Sequence, residues 1–261
     1  MRGLTPGETT KGSAIRNWAV AAALLLTALA LPGAGIEPAR AQPGAPAQLA
    51  QAVDPVKAQR ALLANLVLLR GRLITGRELY QFAGNRALAA RHLGANLNSR
   101  MAQIEPVLSK AGAKPLQDAI DALAAVAKSG GDFAAFEAGY ARVMDETVKA
   151  EGAVTDGRLA SPEFVLSAVA EVVEHAAEDY DAAVKDGKVA VPKEYEEVFG
   201  YNLAVVRTWQ RLNLKASPAL QQDLALLERA VPSPVPLTAL YVTPAAMAKL
   251  AARLRAQVPK A

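Results

Sequence analysis

Apolar side chains recur every three or four residues along most of this 261-residue chain, the spacing that one face of an amphipathic helix requires. No stretch of any length shows the strict alternation of a strand. A serine or threonine stands directly before a proline at residues 161–162, 217–218 and 243–244, and this pair is typical of a helix start. The pattern predicts helices near residues 53–83, 85–111, 115–128, 132–151, 162–186, 192–214, 217–230 and 244–257. We therefore expect an all-α protein, an antiparallel helical bundle of about seven or eight helices.

Two connections between the predicted helices are longer than the others. The connection over residues 151–161 contains two glycines and is the candidate boundary between an N-terminal helical half, 53–151, and a C-terminal helical half, 161–258. The connection over residues 231–243 carries three prolines, so we expect it to be extended. Residues 42–52 are rich in alanine, glutamine and proline, which predicts a flexible leader before the first half.

The first 41 residues have the order of regions found in a secretory signal peptide. Basic residues come first, an apolar run occupies residues 18–31, and Ala39 and Ala41 then provide the small residues of a cleavage site before Gln42. The run is shorter than the ~20 residues that a transmembrane helix needs, although an uncleaved membrane anchor remains the alternative. We predict that residues 1–41 are a signal peptide and that the mature protein is exported.

Composition excludes several classes of protein. The chain has no cysteine, which excludes disulfides, thiolate metal sites, iron–sulfur clusters and covalently attached haem. Removing residues 1–41 lowers the formal charge from +4 to +2, so we expect no nucleic-acid partner. No nucleophile elbow, phosphate-binding glycine loop or dinucleotide fingerprint indicates an enzyme. Only His92 and His175 are present, which excludes a zinc site made of several histidines on one helix, and we interpret His92 as a packed structural residue.

The densest group of polar residues lies on the predicted helix 162–186. Its carboxylates and imidazole are spaced by three and four positions, which can present oxygen and nitrogen ligands to one cation. A short loop should fold the next helix back and bring its first acidic residues close to Glu178 and Asp181. The alternative is a solvated acidic face relieved by nearby lysine and arginine. The candidate metal ligands are Glu171, Glu174, His175, Glu178, Asp179, Glu194 and Glu197.

Residues 171–201 (EVVEHAAEDYDAAVKDGKVAVPKEYEEVFGY) contain a helix–turn–helix signature. The matching positions are Asp179-Tyr180, Ala183-Val184, Asp186-Gly187, Val189, Glu194-Tyr195 and Glu197. In these positions the segment resembles the periplasmic helical domain carried by bacterial members of the iron permease family. Glu171 and Glu174 stand where that pattern has a histidine and an aspartate. The resemblance implies a helical bundle in the periplasm with a link to iron uptake.

Residues 68–100 carry a second pattern, LLRGRLITGRELYQFAGNRALAARHLGANLNSR. The matching positions are Gly71, Leu73, Gly76, Glu78, Leu79, Tyr80, Ala89 and His92. The segment is similar to exported helical proteins with the patterns G-H-L-x-x-G-x-E-L-Y and A-x-x-H-x-x-H-P-x-x-E. Arg72 replaces one expected histidine, Ala95 and Asn96 replace a His-Pro pair, and Ser99 replaces the glutamate. If the family residues bind metal, this chain has an altered site or keeps the scaffold for a different role.

These observations predict a periplasmic accessory or binding protein, not an enzyme, that is linked to the uptake of iron or another divalent cation. Its expected partner is a membrane permease or another periplasmic protein. The alternative is a metal-free helical scaffold that binds a partner protein, and an enzyme is the third possibility. Converging or buried carboxylates would favour the first interpretation. A fully solvated acidic face beside an exposed apolar groove would favour the second.

Overall fold

The computed structural model describes residues 54–94, 97, 101, 104 and 114–259. In this part of the chain the α-helices are α1 (Pro55–Tyr80), α2 (Arg86–Leu93), α3 (Lys114–Ser129), α4 (Phe133–Thr155), α5 (Pro162–Ala183), α6 (Pro192–Arg211), α7 (Pro218–Ala230) and α8 (Pro244–Ala256). The predicted all-α class is therefore confirmed. None of the described helices is long and apolar enough to cross a membrane. The predicted signal peptide over 1–41, the whole of the predicted leader over 42–52 and much of the predicted helix 85–111 lie outside the described residues.

Local capping explains where three of the helices begin. The side-chain oxygens of Ser161, Ser217 and Thr243 accept hydrogen bonds from backbone N–H groups in the first turns of α5, α7 and α8. In each case a proline follows at the first helical position, where no backbone donor is needed. These starts agree with the sequence prediction to within one residue because the signals are local.

The connection between α5 and α6 is a short β-ribbon that the sequence pattern did not reveal. Strand β1 (Val184–Lys185) pairs antiparallel with β2 (Lys188–Val189). Asp186 and Gly187 form the turn with φ values of 51° and 71°, the left-handed pair that a type I′ hairpin turn requires. Helix α5 consequently ends at Ala183, three residues before its predicted end at residue 186. Strands of two residues are too short for an alternating pattern to be read.

Helix α1 lies between two groups of buried apolar residues. Val67 and Ile74 pack with the apolar faces of α5, α6, α7 and α8. Leu66, Leu69 and Leu73 pack instead with those of α2, α3 and α4. Helix α1 is thus covered on more than one side, as expected for a helix with apolar residues all round. The division of the chain into halves at residues 151–161 stays a prediction.

Helices α1 and α6 approach each other closely at a pair of glycines. A Cβ atom on Gly200 would overlap the carbonyl oxygen of Gly71 and the hydroxyl oxygen of Thr75. A Cβ atom on Gly71 would lie only 2.9 Å from the backbone nitrogen of Tyr201. The Thr75 hydroxyl donates a hydrogen bond of 2.9 Å to the carbonyl oxygen of Glu196, which fixes the register of the two helices. The close approach at Gly71 brings Arg72, the residue after it in α1, to the acidic first turns of α6.

Candidate metal centre

Three carboxylates from the two arms of the α5–α6 hairpin converge at one point. Asp179 comes from the last turns of α5, and Glu194 and Glu197 come from the first turns of α6. One carboxylate oxygen from each of the three lies within 4.8 Å of the others. Glu197 is buried, whereas Asp179 and Glu194 are partly accessible to solvent. Oxygen atoms this close can share one cation, and the partial exposure leaves an approach from solvent.

The carboxylates of this group perturb one another. Burial, together with the neighbouring charges of Glu194 and Glu197, raises the pKa of Asp179 to about 7. Burial would also raise the pKa of Glu197, but Arg72 and Lys193 outweigh it, so the pKa of Glu197 lies below its ordinary value. Asp179 therefore holds its proton to a much higher pH than an ordinary aspartate does.

Arg72 of α1 holds Glu197 from the buried side. Its Nη2 lies 3.1 Å from Oε2 of Glu197, and its Nε donates a 3.1 Å hydrogen bond to the hydroxyl oxygen of Tyr201. The Tyr201 hydroxyl in turn donates to the same Oε2 of Glu197 at 3.1 Å. A guanidinium cannot bind a metal ion and is always charged. Where the similar pattern has a histidine, this chain therefore places a fixed positive charge.

Lys193 reaches the carboxylates from the solvent side. Its Nζ lies 3.0 Å from Oε1 of Glu197 and 3.4 Å from Oε1 of Glu194. The lysine side chain is 34% exposed, whereas that of Arg72 is 10% exposed. Burial lowers the pKa of Lys193, but its hydrogen bond to Glu197 and the charges of Glu197 and Glu194 together outweigh burial and keep the pKa above its ordinary value. The group thus contains an internal ammonium ion beside two of its three carboxylates.

His92 of α2 faces Glu197 from the protein interior. Its Nε2 lies 2.6 Å from Oε2 of Glu196, and the same carboxylate oxygen accepts a 2.9 Å hydrogen bond from Arg91. The pairing with Glu196 favours a ring proton on Nε2. In the neutral ring with that proton, Nδ1 carries a lone pair. Nδ1 is buried, has no hydrogen-bond partner among the described residues and lies 3.9 Å from Oε1 of Glu197. A carboxylate that orients a histidine in this way is typical of metal-ligating imidazoles.

Two of the other predicted ligands, Glu171 and Glu174, pair with arginines of other helices. Glu171 forms an ion pair of 3.0 Å with Arg60 of α1, and burial raises its pKa despite that pair. The carboxylate of Glu174 accepts a hydrogen bond of 2.7 Å from Nε of Arg255 on α8. Both glutamates therefore link α5 to other helices of the bundle.

His175 and Glu178 flank Asp179 on α5 but are placed differently. His175 Nε2 lies 3.5 Å from Oδ2 of Asp179, and its ring packs at 5.6 Å from that of Tyr201. Glu178 is exposed. The sequence predicts that Glu194 and Glu197 lie close to Glu178 and Asp181, whereas the structure brings them to Asp179. Asp179 follows His175 by one helical turn and so shares its side of α5, whereas Glu178 is rotated away by about 100°.

Sequence reasoning did not assign three residues that surround the group. Arg72, Lys193 and Glu196 were absent from the predicted site, although each contacts one of its carboxylates or His92. A signal for Arg72 was present, because it interrupts the apolar run over residues 66–74 of a helix that is buried on several sides. A buried charge in such a run requires a partner of opposite charge.

The fold and this site define an all-α bundle protein with a carboxylate-rich centre in its α5–α6 hairpin. Residues 155–261 match the family model described as the iron permease-associated 4-helix bundle domain. The matched region contains α5, α6, α7 and α8 together with all three converging carboxylates, and it includes the segment 171–201 whose resemblance the sequence had indicated. This part of the chain is therefore similar to a helical bundle domain that is associated with iron permeases. No curated protein and no solved structure matches the chain.

Proposed function

We propose that this protein is an exported accessory protein of iron-permease-type uptake that binds iron or another divalent cation through Asp179, Glu194 and Glu197. The observation that carries the proposal is the convergence of these carboxylates within 4.8 Å, from two helices of the region that matches the permease-associated domain. Carboxylate oxygens suit hard cations, and an adjacent imidazole extends the set to borderline cations such as Fe²⁺, Mn²⁺ and Zn²⁺.

Two features of the residues fit a cation as the ligand. The pKa of Asp179 is raised to about 7 by burial and by the other two carboxylates, and a bound cation would relieve that repulsion. His92 also directs a buried Nδ1, which has no hydrogen-bond partner among the residues described, towards Glu197, while Glu196 holds its other ring nitrogen. An unsatisfied buried nitrogen beside a carboxylate is explained by a ligand that both can bind.

Location and partner belong to the same proposal. The order of regions in residues 1–41 supports export, and the family description supports a membrane permease of the iron type as the partner. The cation would then be the cargo handed to or received from the permease. In this role the carboxylate group needs moderate affinity and an open side, and the partial exposure of Asp179 and Glu194 provides that side.

Thermal unfolding of the purified protein with and without Fe²⁺, Mn²⁺, Cu²⁺ and Zn²⁺ tests the proposal. A ligand that binds only the folded state raises the melting temperature by mass action. We expect at least one of these ions to raise it, and Asp179→Asn to abolish the rise. Glu178→Gln is the matched control, because Glu178 is the neighbouring acidic residue and is exposed. No rise with any ion, or equal losses in both variants, would contradict the proposal.

A metal-free scaffold is the second candidate, and the internal ion pairs favour it. Arg72 and Lys193 already neutralise much of the charge of Glu194 and Glu197 without any added ion. In that case the hairpin would be a structural element whose polar interior fixes the register of α1 against α6. The same unfolding experiment separates the two functions, because a scaffold shows no shift that depends on Asp179 and a metal.

A further inference from the structure

The two internal cations beside Glu197 are held in different ways. Arg72 is buried, and its guanidinium is fixed by both Glu197 and the Tyr201 hydroxyl. Lys193 approaches from the other side, with its side chain 34% exposed and its ammonium on the carboxylates of Glu194 and Glu197. One cation is thus built into the core, whereas the other ends a flexible side chain that solvent can reach.

We infer that Lys193 is a displaceable internal cation whose ammonium occupies the metal position of the carboxylate group and must leave when an external cation binds. The inference rests on the proposed function and identifies the residue that sets affinity and charge selectivity there. Lys193 is therefore a residue that competes with the ligand, not one that binds it.

The distances place the ammonium and a metal ion in the same space. Nζ of Lys193 lies 3.0 Å from Oε1 of Glu197 and 3.4 Å from Oε1 of Glu194. A metal ion shared by these oxygens would lie about 2.0–2.6 Å from each, which leaves no room for the ammonium and would strongly repel it. His92 Nδ1 is buried, has no hydrogen-bond partner in the part of the chain that the structure describes and faces the same Oε1 of Glu197, so it independently indicates a ligand at this point.

The position of Lys193 allows it to leave without disturbing the fold. It is the second residue of α6, directly after the first-turn Pro192, so its backbone is fixed while its four-carbon stem can rotate. Arg72 remains in place and continues to hold Oε2 of Glu197. Release of the ammonium thus frees Oε1 of Glu197 and Oε1 of Glu194 together.

Competition by an ammonium selects against ions of single charge. A monovalent ion gains little electrostatic energy when it replaces an ammonium of the same charge beside these carboxylates. A divalent or trivalent ion gains more, because its attraction to the carboxylates is stronger than that of the ammonium. The arrangement therefore favours multivalent cations and keeps the empty group neutralised. Removing the ammonium should raise the affinity for a divalent ion and weaken that discrimination.

Titration of the full-length protein with Mn²⁺, followed by electron paramagnetic resonance of the unbound ion, tests the inference. We expect Lys193→Met to lower the Kd for Mn²⁺ by roughly tenfold or more, because the competing charge is gone. Lys193→Gln keeps a polar side chain but removes the charge, and it should also lower the Kd. Lys188→Met, which removes an exposed lysine of the β-ribbon, is the matched control and should leave the Kd unchanged.

The outcomes separate this inference from the proposed function. If the unmodified protein binds Mn²⁺ and both Lys193 variants bind it equally or more weakly, the inference is overturned and the proposed function stands. If only the Lys193 variants bind, the inference is supported, and the native chain does not bind the ion as proposed. If no variant binds, both are overturned. Unfolding curves of the variants without metal establish that each one is folded before its titration is compared.

Discussion

Replacing Gly200 by alanine tests whether the close approach of α1 and α6 positions the site. An alanine Cβ at this position would overlap the backbone carbonyl of Gly71 and the Thr75 hydroxyl, and a backbone atom cannot rotate away. The two helices must therefore move apart. That movement also weakens the hydrogen bond from Thr75 to Glu196 and the contact of Arg72 with Glu197.

The loss of stability expected for Gly200→Ala follows from two destabilising contributions and one stabilising contribution. Overpacking of a well-packed contact costs about 1–3 kcal/mol. Loss of the hydrogen bond from Thr75 adds about 1 kcal/mol, whereas the better helix propensity of alanine returns about 1 kcal/mol. We expect Gly200→Ala to lower the free energy of unfolding by roughly 1–3 kcal/mol, which for a chain of this size is a fall in Tm of roughly 2–12 °C.

Urea unfolding followed by far-ultraviolet circular dichroism measures this difference. Gly152→Ala is the matched control, because Gly152 lies in α4 and an added Cβ there meets no other atom within 4 Å. That variant should be unchanged or more stable by up to about 1 kcal/mol, since it gains helix propensity without a clash. If Gly200→Ala is as stable as Gly152→Ala, the two helices are not in the contact described, and the argument for the position of Arg72 fails.

Three further predictions concern the site, the hairpin and export. The pKa of Asp179 is raised to about 7 in the folded protein, mainly by burial. The stability that protonated Asp179 contributes is therefore fully present below its unfolded pKa of ~3.9 and is lost as the pH rises through 7. The free energy of unfolding of Asp179→Asn, measured without metal, should therefore rise relative to that of the unmodified protein as the pH goes from 4 to 8. An equal difference between the two proteins at pH 4 and pH 8 would contradict this prediction. Gly187 has a φ of 71°, so Gly187→Val should lower the free energy of unfolding by about 1 kcal/mol or more in a urea titration, and an unchanged midpoint would argue against a strained turn. N-terminal sequencing of secreted protein should find Gln42 as the first residue, and Met1 would show that no cleavage occurs.

Local signals in the sequence determined the helical class and most of the helix starts. The capping residues Ser161, Ser217 and Thr243 act within one turn of themselves, so their effect can be read without knowing the fold. The Asp186-Gly187 pair likewise predicts a turn with positive φ, which the structure shows. The family resemblance of residues 171–201 was also a property of the sequence alone, and it is confirmed by the match to the permease-associated domain.

Tertiary structure alone decided which charged residues meet. The two-residue strands of the ribbon set the register of α5 against α6, and that register brings Asp179 to Glu194 and Glu197 while Glu178 stays in solvent. Helical spacing could place these residues on faces, but it could not choose between two acidic neighbours. The position of each face depends on packing against the second helix, which local propensity does not encode.

Arg72 of α1 and His92 of α2 could be assigned to the site only from the tertiary structure. Arg72 and Glu197 are 125 residues apart in the sequence, and they meet because Gly71 and Gly200 let two helix backbones touch. His92 was interpreted as a packed structural histidine, and it is buried, but its partner Glu196 and its Nδ1 directed towards Glu197 became visible only in three dimensions. Long-range ion pairs are set by the packing of whole helices, so a single sequence specifies the charges without specifying how they pair.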